Sequence, residues 1–259
     1  MILLQGLGIC EQTSLCNNGT SVAGYCQGAN EIQCCVGGLS PTPVPKPTPS
    51  PPTPGGTYTG VDVAGSVSSS TASCFKSNGV NMLIARAWHS TGTVDTTACG
   101  TLQSAQSAGI AVRDVYMFPC PTCSASAASQ VNSMVSYLSS TCPFLWSGKI
   151  WLDVEGSQYW LGSSSSNQNW YKALVDGCKA SGYACGVYGS KTQWEDLFGS
   201  ATFSYGTDLP VWYAHYDSTA SFTDWGSYSF GGWDNPTGKQ YKGDYTLCSF
   251  DTDMDYFVL

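Results

Sequence analysis

The chain has 259 residues and carries ten Lys and Arg against eighteen Asp and Glu, a net charge of −8. That length suits one barrel-sized domain plus a small module. The few, scattered cations exclude the basic stripe of a nucleic-acid binder, and no apolar run reaches membrane-spanning length, so neither partner is expected.

In chain order, Met1-Ile2-Leu3-Leu4-Gln5 lacks the basic start and the apolar length of a signal peptide. Thirteen cysteines nevertheless indicate an oxidising compartment, and they divide into five before residue 40 and eight after residue 57. Five cannot all pair. The expectation is that the true N-terminus, with a signal peptide and a sixth cysteine, precedes Met1; a free thiol or an intermolecular bridge is the alternative. Residues 1–39 form a Cys-rich module, too small for a core of its own and dependent on disulfides, with one glycosylation sequon at Asn18-Gly19-Thr20. Residues 40–56 are a Pro/Thr linker, whose repeated prolines predict an extended polyproline II spacer of about 50 Å.

From residue 57 short apolar runs alternate with Ala/Ser-rich stretches of helical length. Strands are expected around Gly60–Val63, Met82–Arg86, Ile110–Phe118, Lys149–Glu155, Ala184–Tyr188, Leu209–Tyr216, Phe230–Trp233 and Asp253–Phe257, with helices over 95–108, 124–140 and 167–181. Strand then helix, repeated, predicts an α/β fold: a TIM-like β/α barrel over 57–259 behind the small disulfide-rich module. The helical signal fades after residue 198, so loops or hairpins are expected to join the last strands. Among the eight later cysteines, Cys178 and Cys185 are close enough across a helix-to-strand turn to suggest a pair.

Trp151-Leu152-Asp153-Val154-Glu155 is the most informative segment. Strand alternation puts Trp151, Asp153 and Glu155 on one face, and Ile150, Leu152 and Val154 on the other. The aliphatic face suits packing against helices, so the acids face the barrel mouth. Neighbouring carboxyls push each other's pKa apart and leave one protonated, as glycosidic cleavage requires. Solvated strand-end acids would look the same in a single segment. Asp62 on the first strand and Asp253 on the last add weight, because those strands are neighbours in a closed barrel.

Gly-Val-Asp-Val at 60–63, Trp-Leu-Asp-Val-Glu at 151–155, Gly-Val-Tyr-Gly-Ser at 186–190, Val-Trp-Tyr-Ala-His-Tyr at 211–216, Lys239-Gln240-Tyr241 and Asp253-Met254-Asp255-Tyr256-Phe257 occur in order. Together they resemble glycoside hydrolase family 25, the Chalaropsis-type lysozymes or N-acetylmuramidases, and among them the Cys-rich eukaryotic group. The resemblance covers residues 57–259. It implies a secreted or lysosomal–phagosomal lysozyme that cuts the β-1,4 bond between N-acetylmuramic acid and N-acetylglucosamine in bacterial peptidoglycan, for defence or digestion, with no cofactor and no metal. It implies Glu155 as general acid, Asp153 and Asp253 as charge-stabilising groups and Asp62 as their orienting partner. The substrate's own acetamido group is an alternative nucleophile, oriented by Asp153 or Asp253. Tyr116, Tyr188 and Trp212 are implied sugar-groove residues, with ordinary barrel packing the alternative for each, and Arg86, Asp114 and Trp233 are weaker candidates. The N-terminal module resembles small modules of peptidoglycan-active enzymes, which implies binding to chitin or wall glycan; a purely structural knot is the alternative. A monomer is expected. The net negative charge would repel an anionic wall at neutral pH, which favours an acidic compartment.

Two other readings remain. A chitinase-like glycosidase would also place Asp-x-Glu on a fourth strand, but Ser147-Gly148-Lys149-Ile150 precedes Trp151 where chitinases carry further acids. A catalytically inactive glycan-binding protein has the intact acids against it. With only His89 and His215, the chain is a poor zinc amidase. Cys120-Pro121-Thr122-Cys123 has redox or metal-ligand spacing but no second such motif, so a structural disulfide is expected.

Overall fold

Period-two alternation builds the molecule's wall. Ile150, Leu152 and Val154 face outward into a helix-covered core, while Trp151 and Asp153 face inward. The computed structural model describes residues 55–259 throughout and, as backbone strands, residues 9–12, 20–22 and 32–36. The chain divides into two compact units, Met1–Lys46 and Pro47–Leu259. In the first, β1 (Ile9–Gln12), β2 (Thr20–Val22) and β3 (Ile32–Val36) form an antiparallel sheet with β3 central. The sequon Asn18, the Pro/Thr linker through residue 54 and the side chains of the five early cysteines lie outside the described residues.

In the second unit the order is β4 (Thr57–Val63), α1 (Ser69–Ser77), β5 (Met82–His89), β6 (Thr93–Val94), α2 (Ala98–Ser107), β7 (Val112–Met117), α3 (Ala127–Thr141), β8 (Lys149–Val154), α4 (Ser164–Ala180), β9 (Ala184–Gly189), α5 (Lys191–Phe198), β10 (Val211–Ala214), α6 (Trp225–Tyr228), β11 (Gly238–Leu247) and β12 (Phe250–Val258). β4, β5, β7, β8, β9, β10 and β11 pair parallel in that order. β12 then runs antiparallel between β11 and β4 and closes an eight-stranded barrel.

The barrel interior is filled, as small barrels require. Trp151, Trp212 and Phe257 pack on one another with ring centroids 5.5–5.7 Å apart, above Met82, Ile84 and Val112. Gly186 lies against the Trp151 ring and Gly238 against Phe257, so neither position has room for a side chain. Outside, Ser68, Ser126, Ser163 and Ser190 each cap a helix by accepting a backbone N–H three residues on.

Three expectations need correction. Phe230–Trp233 is a turn, not a strand: Gly231 and Gly232 have φ of 66° and 83°, and Phe230 and Trp233 pack against Trp194 in the outer core. The seventh barrel strand is instead β11, which continues with β12 into a hairpin. Three helices, α1, α5 and the four-residue α6, were not expected. The eight later cysteines form four disulfides: Cys74–Cys248, Cys99–Cys142, Cys120–Cys123 and, as its spacing suggested, Cys178–Cys185.

Candidate active site

Strand ends deliver the polar side chains to one mouth of the barrel. Asp62 comes from β4 and Asp153 from β8, and Glu155 follows the end of β8. Asp253 on β12 stands directly opposite Asp62 in the antiparallel register. These four acids, with Tyr116, Tyr188, Trp212, Tyr216 and Gln240, line a cavity of about 90 Å³. Gly156 turns the chain sharply just after Glu155, with φ of 69°. Its N–H donates to Gln193 on α5 at 2.9 Å, and Trp160 Nε1 donates to the Glu155 carbonyl at 2.9 Å. The backbone that carries Glu155 is thereby held from two sides.

Gln240 organises the cavity. Its Nε2 donates to Asp62 Oδ2 at 2.7 Å and to Asp253 Oδ2 at 3.1 Å. Its Oε1 accepts from Tyr188 at 2.7 Å and Tyr216 at 2.8 Å. One buried amide thus fixes two acids and two tyrosines in the only orientation that satisfies all four bonds. Asp253 Oδ1 accepts a further bond from the Asp244 N–H at 2.7 Å. Asp153 differs: its Oδ1 is buried without a donor, a costly state that a substrate N–H or O–H would relieve.

Crowded acids in a dry site resist ionisation. Burial is the largest influence on each and raises the pKa of Asp62, Asp153, Glu155 and Asp253. The charge of Asp253 raises Glu155 further. Glu155 and Asp62 raise Asp153, with Arg86 opposing them. Such a cluster keeps protons at pH values where ordinary carboxyls have lost them, and Glu155, half-buried at the cavity's edge, can deliver one to a bound molecule.

A family model described as Lysozyme-like protein 1 matches residues 55–241. The probable GH family 25 lysozyme 2 of Dictyostelium discoideum is 41% identical over 76% of this chain and 90% of its own length. This chain is a family 25 glycoside hydrolase. Lysozyme-like protein 5 of Caenorhabditis elegans is 34% identical over 76% of the family 25 chain described here and 90% of its own length. The structure of a family GH25 lysozyme from Aspergillus fumigatus superposes with a TM-score of 0.59 over 78% of this chain and 94% of that one; at 20% identity that likeness concerns the fold.

The family 25 barrel brings all seven expected site residues to the same cavity, at unequal depth. Tyr116 is half-buried, whereas Tyr188 and Trp212 are 6% and 2% exposed and form the cavity floor. Arg86 is occupied by Asp95 at 2.9 Å and the Ala64 carbonyl at 2.7 Å. Asp114 accepts from Trp151 Nε1 at 3.1 Å inside the barrel and does not line the cavity. Trp233 belongs to the outer core, where its indole donates to the Leu209 carbonyl.

Sequence reasoning missed Tyr216 and the role of Gln240. Tyr216 is 60% exposed and its ring lies against Gly243, where a Cβ would come within 2.9 Å of it. An exposed aromatic tethered over a pocket suits stacking on a pyranose ring. Gln240 stood within a quoted motif, but nothing local in the sequence marks an amide as a hub for residues up to 178 positions away.

Among the described residues one further group, His215, Asp217 and Asp224, brings metal-ligand atoms within 4.8 Å of one another. The fully buried Lys239 ammonium already lies 2.9 Å from Asp217 and 3.0 Å from Asp224, and His215 Nδ1 lies 2.6 Å from Asp224. Lys239 fills the cation's place, so the cluster is an internal ion-pair network behind β10 and β11 rather than a metal centre.

Proposed function

We propose that this protein is a muramidase that hydrolyses the β-1,4 bond between N-acetylmuramic acid and N-acetylglucosamine in bacterial peptidoglycan. The observation that carries the reading is a half-buried Glu155 with a raised pKa, facing three further carboxyls in one cavity. Glu155 donates its proton to the leaving oxygen. Asp153 and Asp253 stabilise the positive charge that grows at the sugar carbon, and Asp62 orients Asp253 through Gln240. The unbonded Asp153 Oδ1 suits an acetamido N–H, which favours the substrate's own acetamido group as nucleophile. Tyr116, Tyr188, Trp212 and Tyr216 shape the groove. The N-terminal module binds wall glycan or chitin, and the protein acts as a secreted or lysosomal–phagosomal monomer in defence or digestion. The four disulfides support an oxidising compartment.

The test incubates the full chain with purified peptidoglycan between pH 4 and 8, beside Glu155→Gln, and identifies the new reducing ends by mass spectrometry. Reducing N-acetylmuramic acid is expected from the unmodified protein, and a loss of about 10²–10⁴-fold in kcat from the variant. Reducing N-acetylglucosamine would instead mean a glucosaminidase. Hydrolysis of chitin alone would favour the chitinase-like reading, and glycan binding without cleavage a lectin-like one.

A further inference from the structure

Asp255 is a fifth carboxyl beside the cavity that the reaction above does not use. It is fully buried on β12, two residues from Asp253 and opposite Gly60 of β4. Glycine is required there: a Cβ at position 60 would come 2.9 Å from Asp255 Cβ. The Asp255 side chain is therefore laid alongside Asp62, the next inward residue of β4. Its Oδ1 accepts from Trp212 Nε1 at 3.0 Å. Its Oδ2 is buried with no N–H or hydroxyl donor, and Asp62, its diagonal neighbour across the β4–β12 register, is the carboxyl with which it can share a proton. Two carboxyls can share a hydrogen bond only when one keeps its proton.

Burial decides which one keeps it. Asp255 is wholly enclosed, whereas Asp62 is 8% exposed, borders the cavity and already accepts the Gln240 amide. The ionised form therefore costs more at Asp255. The surrounding acids do not choose between them: Asp253 on β12 raises both, and Glu155, just after β8, raises Asp62 as well. Asp153 on β8 and Tyr241 on β11 are the other titratable neighbours, and Arg86 on β5 is engaged with Asp95. The full enclosure of Asp255 and the Gln240 amide on Asp62 set the order.

We infer that Asp255 is a positioning residue that donates an O–H hydrogen bond to Asp62, so that Asp62 enters the reaction as a carboxylate held on both sides, by Asp255 and by Gln240. This rests on the hydrolytic reading above. Asp62, so fixed, holds Gln240, and Gln240 holds Asp253. Without the donor, Asp62 would take up a proton more readily and loosen its grip on the amide.

Two substitutions separate this role from a merely structural one. In Asp255→Asn the carboxamide supplies an N–H to Asp62 and a carbonyl to Trp212. Its kcat on peptidoglycan is expected to stay within about threefold of the unmodified protein, with an unmoved pH profile. Asp255→Val supplies neither, and is expected to lower kcat by about 10²-fold with little change in KM, and to move the acid limb of the profile to higher pH. Equal loss in both variants would mean that Asp255 acts as a carboxylate, and unchanged kinetics in Asp255→Val would mean that it has no role; either overturns the inference. Should the valine variant fail to fold, infrared difference spectra decide. A protonated-carboxyl C=O band at pH 7, present in the unmodified protein and lost in Asp255→Asn, is expected, and its absence overturns the proposal. If the band is found but the unmodified protein releases no reducing ends, the muramidase reading fails and the proton assignment stands.

Discussion

Gln240 concentrates the most consequence in one side chain, because four hydrogen bonds from three separate strands and a loop end on its amide. Gln240→Met keeps the volume and removes every bond. It is expected to lower kcat by about 10²-fold, as a displacement of about 1 Å at reacting groups does; steady-state kinetics beside a circular dichroism spectrum of intact shape would check it. Asp253 can be tested through its field. Its charge helps to hold the Glu155 pKa up, so Asp253→Asn should move the alkaline limb of the pH–rate profile to lower pH, whatever it does to the maximal rate. A third test concerns Asp114, whose pKa burial pushes up to about 6. A raised acid stabilises the fold fully below its unfolded value of 3.8 and loses that contribution as pH rises through about 6. Ionised Asp114 therefore costs the fold up to about 3 kcal/mol at neutral pH. Asp114→Asn should flatten the fall in denaturation free energy between pH 4 and pH 7.5, as read in urea titrations. At this scale the acids were legible because strand alternation points Asp153 and Glu155 together. Asp255 was not, since a second acid two residues from Asp253 reads as its equal until burial separates them.

Strands were legible where a row of buried aliphatic residues marks the outer face and illegible where no such row exists. β8 reads plainly because Ile150, Leu152 and Val154 are fully buried on its outer side. β11 carries Lys239, Lys242 and Asp244 and projects its far half into an exposed hairpin, so no apolar run marks it. Conversely, Phe230-Gly-Gly-Trp233 has the hydrophobicity of a strand but serves as a knot in the aromatic cluster around Trp194. α1 escaped notice because its sequence is half serine and cysteine and only Ala72 and Phe75 are buried. The glycines of the barrel give this scale its own test. Gly186→Ala on β9 would drive a methyl group into the Trp151 ring and displace the strand that carries Asp153. A loss of about 1–3 kcal/mol in stability is expected, the usual cost of overfilling a packed core, measured by chemical denaturation.

Across the whole molecule, charge and cross-links set the conditions of stability. The raised acids Asp62, Asp153, Glu155, Asp253 and Asp255 each favour the fold below their unfolded pKa and withdraw that support as pH rises. Asp95, Asp217 and Asp224 have lowered values, with Asp224 at about 2, and withdraw theirs as pH falls. The two windows leave mildly acidic solution as the optimum, so Tm at pH 5 should exceed Tm at pH 8. The disulfides should rank by the loops they close. Cys74–Cys248 spans 174 residues and Cys178–Cys185 spans seven. The chain-entropy model assigns them about 5 and about 2 kcal/mol, and paired Cys→Ser variants would give the ranking.

The antiparallel strand that closes the barrel also sets a timetable. Asp62 is made early and meets its partner Asp253 only when β12 slots between β11 and β4. While the ribosome is still adding the residues between them, the growing sheet has two raw edges and half a catalytic mouth. Cys74 likewise waits for Cys248. Assembly is therefore forced late, after almost the whole domain has been synthesised, and the nascent chain relies on its environment to keep those open edges from pairing with a neighbour's. The corresponding gain is that a wall-cutting activity cannot emerge from an unfinished chain, because Asp62 has no Asp253 to face until β12 has been made.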